Sequence, residues 1–293
     1  MSRLFAFGLG FSAQELASRL AAQGWSIAGT AREDPKLSQL RACGYEVTRF
    51  AGGTRNAELP ALLRGTTHLL HSIPPGRDGD PVLAGYLDEI AGLGTLEWIG
   101  YLSTVGVYGD QQGRWVDETT QPKPNSERTE ARVKAEAEWL AFGEEIGVPV
   151  QVFRLAGIYG PGRSVFEKLA EGTARRINKG GQVFSRIHVA DIGGVLEASI
   201  AKPRAGAIYN VADDEPAAPG DVVAYAAEMM GVEPPPEIDF EDADLSPLAR
   251  TFYQGSRRIG NALIKSELGV KLRYPTFREG LVSLMPPESS PSR

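Results

Sequence analysis

The sequence predicts an α/β fold: a doubly wound parallel sheet followed by a smaller C-terminal lobe. Two observations carry that expectation. Short apolar strands alternate with segments of helical period over residues 4–155, and a glycine turn sits between the first strand and the first helix. Strands that alternate with helices pair in parallel, because each helix carries the chain back across one face of the sheet.

The elements follow in order. Residues 4–8 form an apolar strand, and 12–22 repeat apolar side chains at Leu16, Ala17, Leu20 and Ala21 as a helix does. A strand at 25–30, a helix near 35–42, a strand at 46–50, a helix at 57–63 and a strand at 68–73 continue the alternation. After the turn-rich PPGRDGDP come a helix at 82–93, a strand at 97–103, a long charged helix at about 127–145 and a strand at 148–155. The sheet should therefore hold six or seven strands. Beyond Gly157, loops carrying Gly160, Pro161, Gly162, Gly180 and Gly181 interleave with helical pieces before a strand at 207–211. The proline run 234–236 and the acidic segment 239–244 read as exposed loop, and no internal repeat is present. The expected division is a dinucleotide-binding domain at 1–156 and a substrate lobe at 157–285, with 182–212 returning to the sheet. A disordered tail is expected at 286–293.

Composition narrows the function. A chain of 293 residues with 42% hydrophobic residues can bury a full core, and a net charge of −6 disfavours a nucleic-acid scaffold or a membrane-surface protein. A local basic pocket for a small anion remains compatible with that charge. The single cysteine, Cys43, cannot form an intrachain disulfide and is expected as a small core or half-buried residue. No run reaches the roughly 18 apolar residues of a membrane span. The expected protein is soluble and cytoplasmic, a monomer or homodimer, with a small-molecule substrate and no nucleic acid, membrane or metal.

The turn FAFGLGFSAQELA supplies Gly8, Gly10 and Ala13 as G-x-G-x-x-A in the strand–turn–helix setting that makes this pattern informative. Gly8 permits the turn, Gly10 lets backbone approach a pyrophosphate, and Ala13 keeps helix and sheet close; Phe11 and Ser12 open the helix beside them. This is the Rossmann arrangement. At the end of the second strand, Thr30-Ala31-Arg32 places no carboxylate at the strand tip, while Arg32 offers a guanidinium fork to the 2′-phosphate of NADP. Glu33 and Asp34 come next, so NADP is favoured and NAD stays open. Thr30, Ser72 and Pro74, at strand ends facing the same crevice, complete the expected dinucleotide contacts with Ser103.

Four further stretches, YLSTVGVYGD at 101–110, VFRLAGIYGPGRS at 152–164, RIHVADIGGVLEA at 186–198 and RRIGNALIKSELGVKLRYP at 257–275, resemble the extended short-chain dehydrogenase/reductase family in the family's order. The resemblance implies an NAD(P)-dependent oxidoreductase or epimerase. It implies that Thr104 orients a substrate hydroxyl or carbonyl, and that Gly157 and Tyr159 lie in the segment that closes over the nicotinamide. It also implies that His188 and Asp191 tie the lobe to the sheet. Arg257, Arg258 and Asn261 could meet an anionic substrate group such as a phosphate, and Arg163, His188 and Arg257 are the expected substrate contacts. In relatives the long helix often helps form dimers.

One departure matters. The family's Tyr-x-x-x-Lys, whose tyrosine is the general acid/base, is absent from NSERTEARVKAEAEWL. Lys134 at the lysine position puts Glu130 at the tyrosine position; Arg132 there puts Arg128 at the tyrosine position and Glu136 at a family-like glutamate. The loss resembles the atypical extended subgroup that includes the YeeZ-like proteins, as do GLGFSA, IPPGRDGDP and YPTFREGL. Tyr108, Tyr159 or Glu130 could move the proton instead, and Thr104, Tyr108 and Glu130 form the catalytic candidates. The alternative function is a non-catalytic NADP(H)-binding sensor.

Overall fold

A computed structural model describes residues 2–285; the expected tail at 286–293 lies outside them. The first half runs β1 (Arg3–Phe7), α1 (Phe11–Ala22), β2 (Ser26–Ala31), α2 (Asp34–Ala42), β3 (Glu46–Arg49), α3 (Leu59–Leu62), β4 (His68–His71), α4 (Pro81–Ala91) and β5 (Trp98–Thr104). A 3-10 turn (Val105–Tyr108) and the short β6 (Trp115–Val116) lead to α5 (Glu127–Ile146) and β7 (Val150–Leu155). There follow β8 (Gly157–Tyr159), α6 (Val165–Ala170), β9 (Arg176–Asn178), β10 (Arg186–His188), α7 (Val189–Ala201), β11 (Ala207–Val211) and α8 (Pro219–Met229). The chain ends in β12 (Glu237–Asp239), α9 (Pro247–Phe252), β13 (Arg258–Ile259), α10 (Ala262–Ser266) and α11 (Phe277–Val282).

The main sheet has seven strands in the order β11-β7-β5-β4-β1-β2-β3, and every pairing in it is parallel. Alternation along β1 shows how sequence period becomes layering. Leu4 and Ala6 join a core with Leu16, Leu20, Ile192 and Leu196 of α1 and α7. Phe5 and Phe7 face the other way, toward Leu59, Tyr86, Ile90 and Trp139 of α3, α4 and α5. Successive strand side chains point to opposite faces, so one strand feeds both cores. Each such side chain stabilises the fold by about 1.5–3 kcal/mol when fully buried.

The C-terminal part has smaller cores of its own. Phe166, Val222, Ala226, Phe277 and Leu281 pack α6, α8 and α11 together with Tyr159. Ile177, Ala243 and Tyr253 form another small cluster. Between the proline run 234–236 and the acidic segment 239–244, both mostly exposed, the chain forms the short β12, which ends at Asp239 and pairs in parallel with β9; Ile238 and Phe240 pack on Ile177, a distant partner that local polarity does not show. One expectation needs correction here. Cys43 is exposed rather than core, at the end of α2. Among the described residues no helix is long and apolar enough to cross a membrane.

Candidate functional site

Strand order reverses between β1 and β4, and in open parallel sheets ligands lie beyond the carboxyl ends of the strands at such a point. Here β1 ends in the glycine turn. Gly8 has φ 86°, and a Cβ there would come within 2.8 Å of Ser72 Oγ. Its N–H donates to Thr30 Oγ1 at 2.9 Å, and Ser72 Oγ donates to its carbonyl at 2.5 Å. Thr30 and Ser72 therefore hold the turn in shape. Gly10 is the opposite case: a Cβ would meet nothing within 4 Å, because the space in front of it is cleft. Gly10 caps α1 without a side-chain acceptor, which leaves the helix start with unpartnered donors and a partial positive charge.

That turn opens onto a cleft of about 920 Å³ lined by Gly8, Gly10, Thr30, Arg32, Ser72 and Pro74 among others. Arg32, Lys36 and Arg55 bring positive charge to it, and Glu33, Asp78 and Asp80 carboxylates. Lys36 Nζ also donates to Gln14 Oε1 at 2.8 Å. The sequence reading missed Lys36, which lies in the first turn of α2 and lines the same cleft as Arg32. Asp80 closes the floor. Its carboxylate lies 2.7 Å from His71 Nε2 and accepts from Trp139 Nε1 at 3.1 Å and from the Val82 and Leu83 N–H groups. Burial works to raise its pKa, but those partners outweigh burial and hold it below the usual carboxylate range. An open glycine cradle at an uncapped helix start gives the cleft fixed backbone donors for an anionic group.

A second cleft of about 640 Å³ shares Gly10 and Ser72 with the first. It brings together Phe11, Ser12, Ala13, Ser103, Thr104, Gly157, Tyr159, Arg163 and Arg257. Thr104 ends β5, and its Oγ1 accepts the Gly106 N–H at 3.1 Å. Ser103 Oγ donates to Glu136 Oε1 at 2.5 Å, and Glu136 pairs with Arg154 at 2.7 Å. Burial and nearby carboxylates, Asp213 first, push the Tyr159 phenol well above its ordinary range, so it stays neutral and is a poor base.

Three expected residues are elsewhere. Tyr108 is fully buried under the cleft, where its hydroxyl donates to Asn210 Oδ1 at 2.8 Å and accepts from Arg154 at 3.0 Å. Glu130 is exposed on α5 and does not line the cleft. The face of α5 that meets the cleft carries Arg128, Thr129 and Arg132, while Lys134 pairs with Glu138 on the outer face at 3.6 Å. Glu136, four residues beyond Arg132, lies buried in the Arg154 pair. His188 caps α7: its Nδ1 accepts the Ala190 N–H at 3.1 Å, and its ring stacks between Tyr159 and Tyr274. Burial pushes its pKa down to about 4, which suits a neutral structural imidazole outside the cleft. Asp191 accepts the Arg273 and Tyr274 N–H groups at 2.6 and 3.0 Å and so fastens the C-terminal segment to α7.

The charge of the second cleft is one-sided. Arg128, Arg132, Arg163, Arg186 and Arg257 line it, with no Asp, Glu, Lys or His. None of these five arginines forms an ion pair among the described residues. Arg132 Nη1 donates to Leu102 O at 2.8 Å and Tyr101 OH at 3.1 Å; Arg257 Nη1 donates to Gly109 O at 2.7 Å. Neutral acceptors thus fix the guanidiniums without neutralising them. Arg186 was missed from sequence, and Arg128 and Arg132 were weighed only as replacements in the lost motif.

A model of the NAD dependent epimerase/dehydratase family matches residues 91–212. Protein YeeZ of Escherichia coli (strain K12) is 30% identical over 288 residues, covering 94% of this chain and 97% of that protein. A solved structure of a functionally unknown conserved protein from Silicibacter pomeroyi DSS is 51% identical with a TM-score of 0.89, covering 97% of this chain and 98% of that one. The dTDP-glucose 4,6-dehydratase of Bacillus anthracis str. Ames, solved in complex with NAD, shares the fold at 19% identity with a TM-score of 0.77, covering 97% and 95% of the two chains.

Proposed function

The chain belongs to the NAD dependent epimerase/dehydratase family, and from that premise we propose that it binds NADP(H) across the two joined clefts. In this reading it acts as an oxidoreductase or epimerase on a sugar-like or other small carbonyl or hydroxyl substrate. One observation carries the proposal: the uncapped start of α1 and the open side of Gly10 lie between a cleft with Arg32 and Lys36 and a cleft with Thr104. The first half would take the adenosine and its 2′-phosphate, with α1 and Gly10 at the pyrophosphate. When bound, the nicotinamide supplies hydride chemistry.

The protein's own residues supply the rest. Thr104 offers a hydroxyl to the substrate oxygen at the end of a rigid strand, and Ser103 behind it is held by the Glu136–Arg154 pair. The arginines draw in a negatively charged molecule and hold it, in a chain whose overall charge is negative. Support for a sugar-type substrate comes from the dTDP-glucose 4,6-dehydratase that shares the fold.

The experiment is a nicotinamide absorbance assay of the purified protein with a panel of carbonyl compounds and nucleotide sugars, alongside measurement of NADP(H) binding. Turnover with any member that Thr104→Ala abolishes supports the reading. Binding without turnover across the panel favours a second one, a non-catalytic NADP(H)-binding module. The observation behind that second reading is that α5 carries no tyrosine and presents Arg128, Thr129 and Arg132 to the cleft.

A further inference from the structure

The face of α5 toward the second cleft follows from helical period. Trp139, Glu136, Ala135 and Arg132 are buried on one side of the helix, and stepping back by one turn from Arg132 reaches Arg128. The helix start is rigid, since Ser126 caps it: the Thr129 N–H donates to Ser126 Oγ at 3.3 Å, and the Thr129 hydroxyl bonds back toward Ser126. That first turn packs on the Thr104 turn. A Cβ added to Gly106, between them, would lie 3.3 Å from both Thr104 Oγ1 and Thr129 Cγ2.

Two guanidiniums one turn apart therefore flank the same part of the cleft as Thr104. Neither has a carboxylate partner among the described residues, and Arg132 is buried with only Nη1 engaged, by a phenol and a carbonyl. A guanidinium neither gives up nor accepts a proton at neutral pH, so these two groups cannot replace a phenol in proton transfer. They present planar forks of donors, which match the two oxygens of a carboxylate or phosphoryl group. A buried cation without a counterion is costly, and an anionic ligand offsets that cost.

We propose that Arg128 and Arg132 grip an oxyanion of the substrate, a carboxylate or phosphoryl group, on the Thr104 side of the cleft. The substrate is then a carbonyl or hydroxyl compound with a negative charge near its reacting carbon. This rests on the reading of the second cleft as a substrate site and narrows the substrate class within it.

The test titrates the full chain with inorganic phosphate, with malonate and with glucose, by calorimetry and thermal shift. Each titration is run with NADP⁺ saturating, so that the glycine turn is filled, and again without it. Phosphate or malonate should bind while glucose does not. Arg128→Gln should weaken the anion by about tenfold or more with NADP(H) affinity changed by less than about twofold. Arg132→Lys, which keeps the charge but loses the fork, should weaken it as well. Phosphate alone points to a phosphorylated substrate, malonate alone to a carboxylated one. Because Arg128 is exposed, its variant folds even where a change at Arg132 does not. Binding of neither anion, or binding that Arg128→Gln leaves intact, overturns the proposal. Anion binding that depends on Arg128 in a protein that fails to take NADP(H) would leave this proposal standing and remove the cofactor reading.

Discussion

On the proposed reading, the two halves of the cleft hold an anion in different ways. The dinucleotide half uses backbone: a glycine at positive φ, a second glycine with open space before it, and the bare start of α1. The substrate half uses long side chains from α5, the loop after β8, the start of β10 and the segment before β13, five arginines in all. Backbone donors are fixed once the turn forms, whereas each guanidinium must be positioned by something else. For Arg132, Arg186 and Arg257 that support is a set of neutral acceptors; beneath them Arg154 is saturated by Glu136 and Tyr108, and Glu136 also holds Ser103. Arg154 is a paired structural charge and the cleft arginines are unpaired, which separates scaffold from ligand site among residues of one type.

The largest expected effect breaks that scaffold. Glu136→Ala would leave Arg154 buried without its carboxylate and release Ser103, at a cost of about 3–5 kcal/mol of stability, measured by urea unfolding. A change under about 1 kcal/mol would mean that the paired layer does not support the substrate half. Next is a change confined to the dinucleotide half. Gly10→Val points its methyls into open cleft, so the melting temperature should hold while NADP(H) affinity falls by about 100-fold, equivalent to about 2.7 kcal/mol. Calorimetry showing unchanged binding would place the pyrophosphate elsewhere.

A smaller effect separates the C-terminal attachment from either half. The folded protein keeps His188 neutral, its pKa pushed by burial from 6.5 down to about 4. Its contribution is therefore complete above about pH 6.5 and is lost as pH falls toward 4. His188→Asn, which can still cap α7, should flatten that part of the stability profile, and His188→Ala should cost a further cap, about 1 kcal/mol. Neither should change NADP(H) affinity at neutral pH; a change there would bring His188 back to the site.

Legibility in the sequence follows the same divide. The layers were readable because Leu4 and Ala6 alternate with Phe5 and Phe7, and the glycine turn because its spacing and setting are local. In the second cleft Arg163 and Arg257 were expected and Arg186 was not, and their meeting was not legible, because the three come together only after the chain has passed through β8, β10 and β13. Within α5 a signal was available. Counting back by helical turns from Trp139 gives Arg132 and Arg128, whereas Glu130 falls with Lys134 and Glu138 on the outer face. Tyr108 illustrates the reverse error: it is near Thr104 in sequence, but the 3-10 turn after β5 carries it into the core beside Arg154 and Asn210.

The most direct measurement is a calorimetric titration of NADPH and NADH into the purified chain and into Arg32→Ala. The expected result is tighter binding of NADPH than NADH by about tenfold or more, with most of that difference lost in the variant, as one charge-assisted contact of about 1.5–3 kcal/mol requires. Equal binding of both dinucleotides that Arg32→Ala leaves unchanged, or no binding of either, would contradict the assignment of the first cleft to NADP(H).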